Sequence, residues 1–309
     1  MDNQTTIKNL YIVAFFNKGE TQPFLFAGFF SMYLIVVLGN VVIITVIFID
    51  AHLQTPMYIF LCNLSCADAF FTTITLSKLL DILLTGNNSI SFIHCFIQMY
   101  FFVFMAGTEV LLLSIMAYDR YVAICYPLHY TFIMTVKKCI LFLSSTWIFA
   151  CMNACFFITF AIKLSFFSNK INNFFCDIKA VAKISHTEVK FHIVIFGEAL
   201  VFGLFPFLLI VASYTKIISS LLYIRSKNGR MKSFSTCTSH FIVIIMFYGT
   251  VLWMYMRPPL DHSEEQDPIF SVLYTVVTPM VNPFVYSLRN KEVKEALKRI
   301  VEYRHTDKN

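Results

Sequence analysis

The chain has 309 residues, a length that could hold two soluble domains. Its composition excludes them: 58% of residues are hydrophobic, 17% aromatic and only 14% charged, against roughly 25% charged in soluble domains. Thirty-five Phe cannot all be hidden in soluble cores of this size, so the main solvent is lipid, and the net charge of +6 reads as a membrane-orientation signal rather than a nucleic-acid footprint.

The opening residues Met1 to Gln22 are polar, with no basic-then-apolar pattern of a cleaved signal peptide. Crossing roughly 30 Å of hydrocarbon takes about 20 apolar residues in a helix. Seven runs meet that length: 24–49, 57–80, 93–122, 139–162, 192–224, 235–257 and 268–288. Their continuous apolarity favours helices over barrel strands, which would alternate in shorter segments. The expected fold is therefore an all-α membrane protein, a seven-transmembrane helix bundle. Its divisions are an N-terminal segment 1–23, a bundle 24–288 and a tail 289–309. With the N-terminus outside, the inner segments collect fifteen of the 24 Lys and Arg, including Arg120, Lys216, Arg289 and Arg299, while basic and acidic residues balance outside.

In chain order, Asn3-Gln4-Thr5 is a glycosylation sequon in the outer segment, with Asn3 the acceptor. Asn40, a lone Asn in the first span, predicts a helix–helix hydrogen bond. Pro56 opens the second helix, where its missing N–H costs nothing. Asp68 lies midway along the second span, Glu109 at a comparable depth in the third and Asn282 in the seventh. Ionisable groups so deep must face the bundle and find partners, which reads as a buried polar cluster tying three helices together.

Of nine cysteines, seven fall in or beside spans. Cys95, at the top of the third span, and Cys176, in the long loop 163–191, both fall on the oxidising side, so a bridge between them would pin that loop over the bundle mouth. The third span ends on Asp119-Arg120-Tyr121. Pro206 predicts a kink in the fifth helix. Lys291 to Tyr303 carries Val293, Ala296, Leu297 and Ile300 on one face and reads as a short amphipathic C-terminal helix on the inner leaflet.

Five stretches together resemble the olfactory receptors, a branch of the rhodopsin-like G-protein-coupled receptors. They are Leu53-Gln54-Thr55-Pro56-Met57-Tyr58 (with Gln54 where His is usual), Met116 to Cys125, Lys232 to His240, Phe247-Tyr248-Gly249-Thr250, and Pro279 to Asn290. They occur in the family's order and spacing. The resemblance implies an odorant-activated receptor, not an enzyme, at the plasma membrane of olfactory sensory cilia. It further implies coupling to a stimulatory heterotrimeric G protein, a rise in cAMP, and help from trafficking accessory proteins; no cofactor is implied. Activation, by the same resemblance, swings the sixth helix outward and frees Arg120 and Tyr214, with Asp119, Tyr121, His240 and Tyr286 in the same machinery. Asn40, Asp68, Glu109 and Asn282 then have a second reading, a sodium or proton site. The family's two further loop cysteines are absent, their places falling near Phe167 and at His186, so one loop disulfide is expected and looser loop ends.

The ligand is expected in the outer half of the bundle, under the Cys176 loop. Phe102, Val103, Ala106 and Gly107 share one face of the third helix there. The fifth offers Glu198 and Phe202, the sixth Tyr248, Val251, Leu252 and Tyr255, and the seventh Thr275, making a mostly apolar, aromatic wall. Each residue could equally be core or lipid contact, and Ala106 and Gly107 could serve close helix packing. Glu198 could bind an amine or polar odorant, or instead reach water or Lys190. A transporter or channel predicts internal repeats or broken spans in matching halves, and neither is found. An intramembrane enzyme predicts a nucleophile–base pair or zinc-ligand spacing, also not found. A peptide or amine receptor would differ only in its ligand.

Overall fold

The structure, a computed structural model, describes residues 8–15, 21–186, 189–223, 227–256, 263–289 and 291–306; of 227–236, 254–256, 263–265, 286–289, 291 and 301–306 it describes the backbone alone. Asn3 and the side chains of Tyr255 and Tyr286 therefore lie outside the described residues.

The spans are helices α1 (Gln22–Ile49), α2 (Pro56–Thr85), α3 (Phe92–Cys125), α4 (Val136–Ala161), α5 (Val189–Tyr223) and α6 (Lys227–Met256). The seventh, α7, runs from Ser263–Val272 through a π-helical segment, Leu273–Val277, into Thr278–Arg289. Helix α8 (Lys291–Thr306) follows. Six of these are long and apolar enough to cross a bilayer, and α6 adds the shorter apolar stretch Cys237–Trp253.

Both π segments sit just before a proline. Ala199–Leu204 precedes Pro206 in α5, and Leu273–Val277 precedes Pro279 in α7. A proline lacks the N–H that would close the turn beneath it, so a wider turn there is the local answer to sequence. In α7 the freed carbonyls are served from neighbouring helices. Pro279 leaves the Thr275 carbonyl, which accepts from Thr72 Oγ1 at 3.1 Å. Pro283 leaves the Pro279 carbonyl, which accepts from Asn40 Nδ2 at 3.4 Å. The broken helix is thus sewn to α1 and α2.

The N-terminal segment is more than a polar tail. Strand β1 (Asn9–Ile12) pairs antiparallel with β2 (Ser89–Ser91), and β4 (Lys170–Ile171), in the long loop, pairs parallel with β1. Leu10 and Ile12 are fully buried beneath this small sheet. In the same loop β3 (Ser165–Phe166) pairs with β5 (Ser185–His186), and the Phe167 and His186 rings sit 5.1 Å apart. A strand ladder and a ring contact therefore tie the loop ends where looser ends are expected from the missing cysteines.

The interior divides into two apolar cores. One gathers at the disulfide end around Phe71, Phe102, Phe157, Phe174 and Phe175. The other gathers at the arginine end around Phe60, Leu64, Leu113, Met116 and Ile244. Asp68 and Glu109 mark the boundary between them along α2 and α3.

Candidate functional site

Helix α3 carries three stations. At its first end, Cys95 is bridged to Cys176, with their Cα atoms 5.4 Å apart. One turn further, Gln98 accepts the Cys176 backbone N–H at 2.9 Å and donates to the Ile74 carbonyl of α2 at 2.8 Å. The loop next to the bridge turns inward, and Phe174, Phe175 and Cys176 are all fully buried. The Phe175 ring meets Phe102 at 5.1 Å, and Phe102 also meets Phe71 at 5.3 Å and Tyr274 at 6.1 Å. The loop thus packs aromatic rings into the mouth between α2, α3 and α7. Above it, Lys179 and Lys183 hold Asp267 at 3.1 and 3.2 Å. With Asp177 they line a polar cavity of about 160 Å³. Burial pushes the Asp177 carboxyl up to about 6 despite the nearby Lys179.

At the middle station, Asn282 Nδ2 donates to Asp68 Oδ2 at 2.7 Å, and the Glu109 carboxyl of α3 lies close enough to Asp68 to interact with it. All three side chains are buried. Two bare carboxylates side by side away from water repel at low dielectric. Asn40, by contrast, donates to the Val36 and Pro279 carbonyls, not to the carboxyls.

At the far end, Asp119 is 1% exposed, and its Oδ1 accepts from the Tyr130 hydroxyl at 2.8 Å. Arg120 sits beside it, with a buried Nε that has no hydrogen-bond partner among the described residues. Across from α3, the Tyr214 hydroxyl of α5 and His240 Nδ1 of α6 are 2.8 Å apart, and His240 is fully buried close to Arg120. Tyr121 turns away toward Tyr126, hydroxyl to hydroxyl at 3.4 Å. Next to this end, α8 is anchored by Arg299 to Asp50 at 2.7 Å and by Tyr58 to Glu292 at 2.8 Å. Burial pushes the Asp50 carboxyl up, but Arg299 and the His52 amide outweigh it and hold its pKa below the ordinary carboxylate value.

The residues expected to line the ligand site scatter over several environments. Val103 is buried, Ala106 and Val251 are half-buried, and Tyr248 is buried against Phe207 with its hydroxyl lacking any partner among the described residues. Thr275 is fully buried and donates back to the Ser271 carbonyl at 2.7 Å. Gly107 is a packing position: a Cβ there would lie 3.0 Å from the Phe202 ring and 3.6 Å from Ala150. Phe202 in turn stacks on Phe149 of α4 at 5.4 Å. Glu198 is half-buried, and its carboxylate accepts from Asn153 of α4 at 2.8 Å rather than pairing with Lys190. Leu252 is a correction, because at 44% exposure it lies on the outer surface of α6. One residue along a helix is a rotation of about 100°, so Leu252 is turned further toward the outside than half-buried Val251.

Gln98, Phe174, Phe175, Tyr130 and Asn153 escaped the sequence reading. Gln98 and Asn153 carried a signal, each being a polar residue inside an apolar span that must find a partner. The loop aromatics carried none, since nothing in their spacing says which way they turn.

The fold is that of the rhodopsin-like seven-helix proteins. The chain superposes on squid rhodopsin with a TM-score of 0.71, covering 90% of this chain and 86% of that one at 14% identity. A family model described as olfactory receptor matches residues 29–304. Olfactory receptor 1E16 of Mus musculus is 43% identical over 300 residues, 96% of each chain. Olfactory receptor 1E1 of Homo sapiens is 42% identical over 308 residues, 98% of each chain. The chain belongs to the olfactory receptor family, a family of membrane receptors rather than enzymes.

Proposed function

We propose that the chain is an odorant receptor that binds a small, mostly apolar odorant in the disulfide-end half of the bundle. It then activates a stimulatory heterotrimeric G protein and so raises cAMP. The observation that carries this reading is the Tyr248 hydroxyl, buried in an apolar surround with no partner among the described residues. A buried polar group is costly unless satisfied, and an odorant oxygen would satisfy it. Val103 and Ala106 pack in the disulfide-end core, and Val251 packs with Tyr248 in the arginine-end core, so the ligand would lie at the inner limit of the disulfide-end half with walls from both.

The charge distribution supports an orientation with the disulfide end outside, residues 1–23 extracellular and 289–309 cytoplasmic. Asn3 would then be glycosylated, and the receptor would sit in the plasma membrane of olfactory cilia, delivered with accessory proteins. Output would run through Arg120. In the closed bundle the Tyr214–His240 bond ties α5 to α6 beside it. An outward swing of α6 parts that bond and offers Arg120, Tyr214 and the flanking Asp119, Tyr121 and Tyr286 to the G protein. The ligand does this by binding the open state better, a tenfold preference supplying about 1.4 kcal/mol. The Asp68–Glu109–Asn282 layer would hold a sodium ion or a proton in one state and release it in the other.

The test is a cAMP reporter in cells displaying the chain, challenged with a panel of volatile molecules. At least one saturable response is expected, lost on Arg120→Ala. Silence across the panel with confirmed surface expression would overturn the reading.

A further inference from the structure

A second cavity lies outside the bundle core. It is a groove of about 480 Å³ between α2 and α3 at the disulfide end, within the size range of small-molecule sites. Its rim is polar and its floor apolar. Lys78, Asp81 and His94 stand at the top; Ile74, Ile97 and Phe101 lie at the bottom. Ile74 is seven residues below Asp81, and Phe101 seven below His94, so the groove descends about 10 Å along both helices. Ile97 and Phe101 are exposed, as are the neighbouring Phe70 and Ile93. In a bundle that crosses the bilayer such surfaces face hydrocarbon.

The rim charges form a pair. Lys78 Nζ donates to Asp81 Oδ2 at 2.6 Å and to the Asn87 carbonyl at 3.2 Å. An ammonium has three N–H groups, so one remains for another acceptor, and the Asp81 side chain is 49% exposed. A cation and an anion side by side above an apolar slot match a headgroup carrying both signs. We infer that this groove is a binding site for a zwitterionic phospholipid. Its phosphate meets Lys78, its ammonium meets Asp81, and one acyl chain lies over Ile74, Ile97 and Phe101. Phosphatidylglycerol would put the same phosphate on Lys78 but offer Asp81 a neutral polyol in place of the ammonium. The back wall is Gln98, the side chain that holds both the Cys176 backbone and α2. The lipid therefore rests on the support of the disulfide loop. The inference depends on the membrane-embedded fold and stands whether or not the chain responds to odorants.

The full-length protein would be placed in nanodiscs of equal phosphatidylcholine and phosphatidylglycerol. Retained lipid would then be counted by native mass spectrometry after stepwise detergent extraction. The wild type is expected to keep phosphatidylcholine in at least fivefold excess over phosphatidylglycerol. Ile97→Trp fills the slot from its exposed side and should abolish retention, whereas Lys78→Gln should keep a lipid but lose the headgroup preference. Phe101→Trp serves as a second filler should Ile97→Trp fail to form the Cys95–Cys176 bridge. Equal retention of both lipids by the wild type, a preference for phosphatidylglycerol, or undiminished retention in a folded filler variant would overturn the inference.

Discussion

Asn40 of α1 donates its side-chain amide to the Pro279 carbonyl of α7, the acceptor that Pro283 leaves open one turn later. Thr72 does the same for the Thr275 carbonyl left by Pro279. Two prolines close together would leave two buried carbonyls unserved in hydrocarbon, each costing several kcal/mol. Asn40→Leu should therefore lower stability by about 1–3 kcal/mol, and Thr72→Val, which keeps the shape, by about 1 kcal/mol. Thermal unfolding of the purified receptor would check both, and variants melting with the wild type would show that α7 heals itself without α1 and α2.

The neighbouring Gly39 serves the same junction sterically. A Cβ on Gly39 would sit 3.2 Å from Pro283 Cβ and 3.3 Å from its Cγ, both in a rigid ring. Gly28, in the same helix, has nothing within 4 Å of such a Cβ. Gly39→Ala should cost about 1–3 kcal/mol by overpacking, while Gly28→Ala should be neutral or slightly stabilising because alanine favours helix. Equal melting temperatures for the two variants would contradict a tight α1–α7 contact.

Asp177 predicts a pH dependence on the loop side. Its folded pKa is raised to about 6 from an ordinary 3.8, chiefly by burial, with Lys179 opposing and Asp267 reinforcing the rise. A raised carboxyl binds its proton more tightly in the folded state. Its contribution is thus fully present below about pH 3.8 and is lost as pH rises through about 6. The whole effect is on the order of 3 kcal/mol at most. Melting curves between pH 4 and 7 should show the wild type losing stability relative to Asp177→Asn. Parallel curves would mean that the carboxyl titrates alike folded and unfolded.

Glu198 is held by Asn153 across the α4–α5 seam. Glu198→Gln keeps an acceptor oxygen for that amide, so the odorant dose–response should stay within about twofold for amines and alcohols alike, roughly 0.4 kcal/mol. A lost or shifted amine response would return the carboxylate to the ligand site.

These cases show what a span discloses in advance. Burial of Asp68, Glu109 and Asn282 was legible because a polar side chain in hydrocarbon is costly and needs partners; Asn40 finds its own at backbone carbonyls instead of in that layer. Leu252 was not legible, because a helix that is apolar all round carries no phase to tell its bundle face from its lipid face. The inward turn of Phe174 and Phe175 was hidden for a related reason, since a loop has no period at all. Burial of Leu10 and Ile12 was equally hidden, for a four-residue strand holds too few alternations to stand out from a polar segment. Fold and polar layer were thus readable from energetic cost, while the ligand wall depended on rotations that composition does not encode.

The Tyr214–His240 bond gives the last prediction its direction. It joins α5 to α6, with both residues buried. If opening parts the two helices, the bond stabilises the closed state alone. Removing it with Tyr214→Phe takes away about 0.5–1.5 kcal/mol, which shifts the closed-to-open ratio roughly two- to tenfold. Ligand-free cAMP should therefore rise by a comparable factor at equal surface expression. His240→Phe should act in the same direction and the double variant should add little, because both remove one interaction. A fall in basal signalling in both single variants would instead place the Tyr214 hydroxyl in the open state, and the closed-state role of the bond would be wrong.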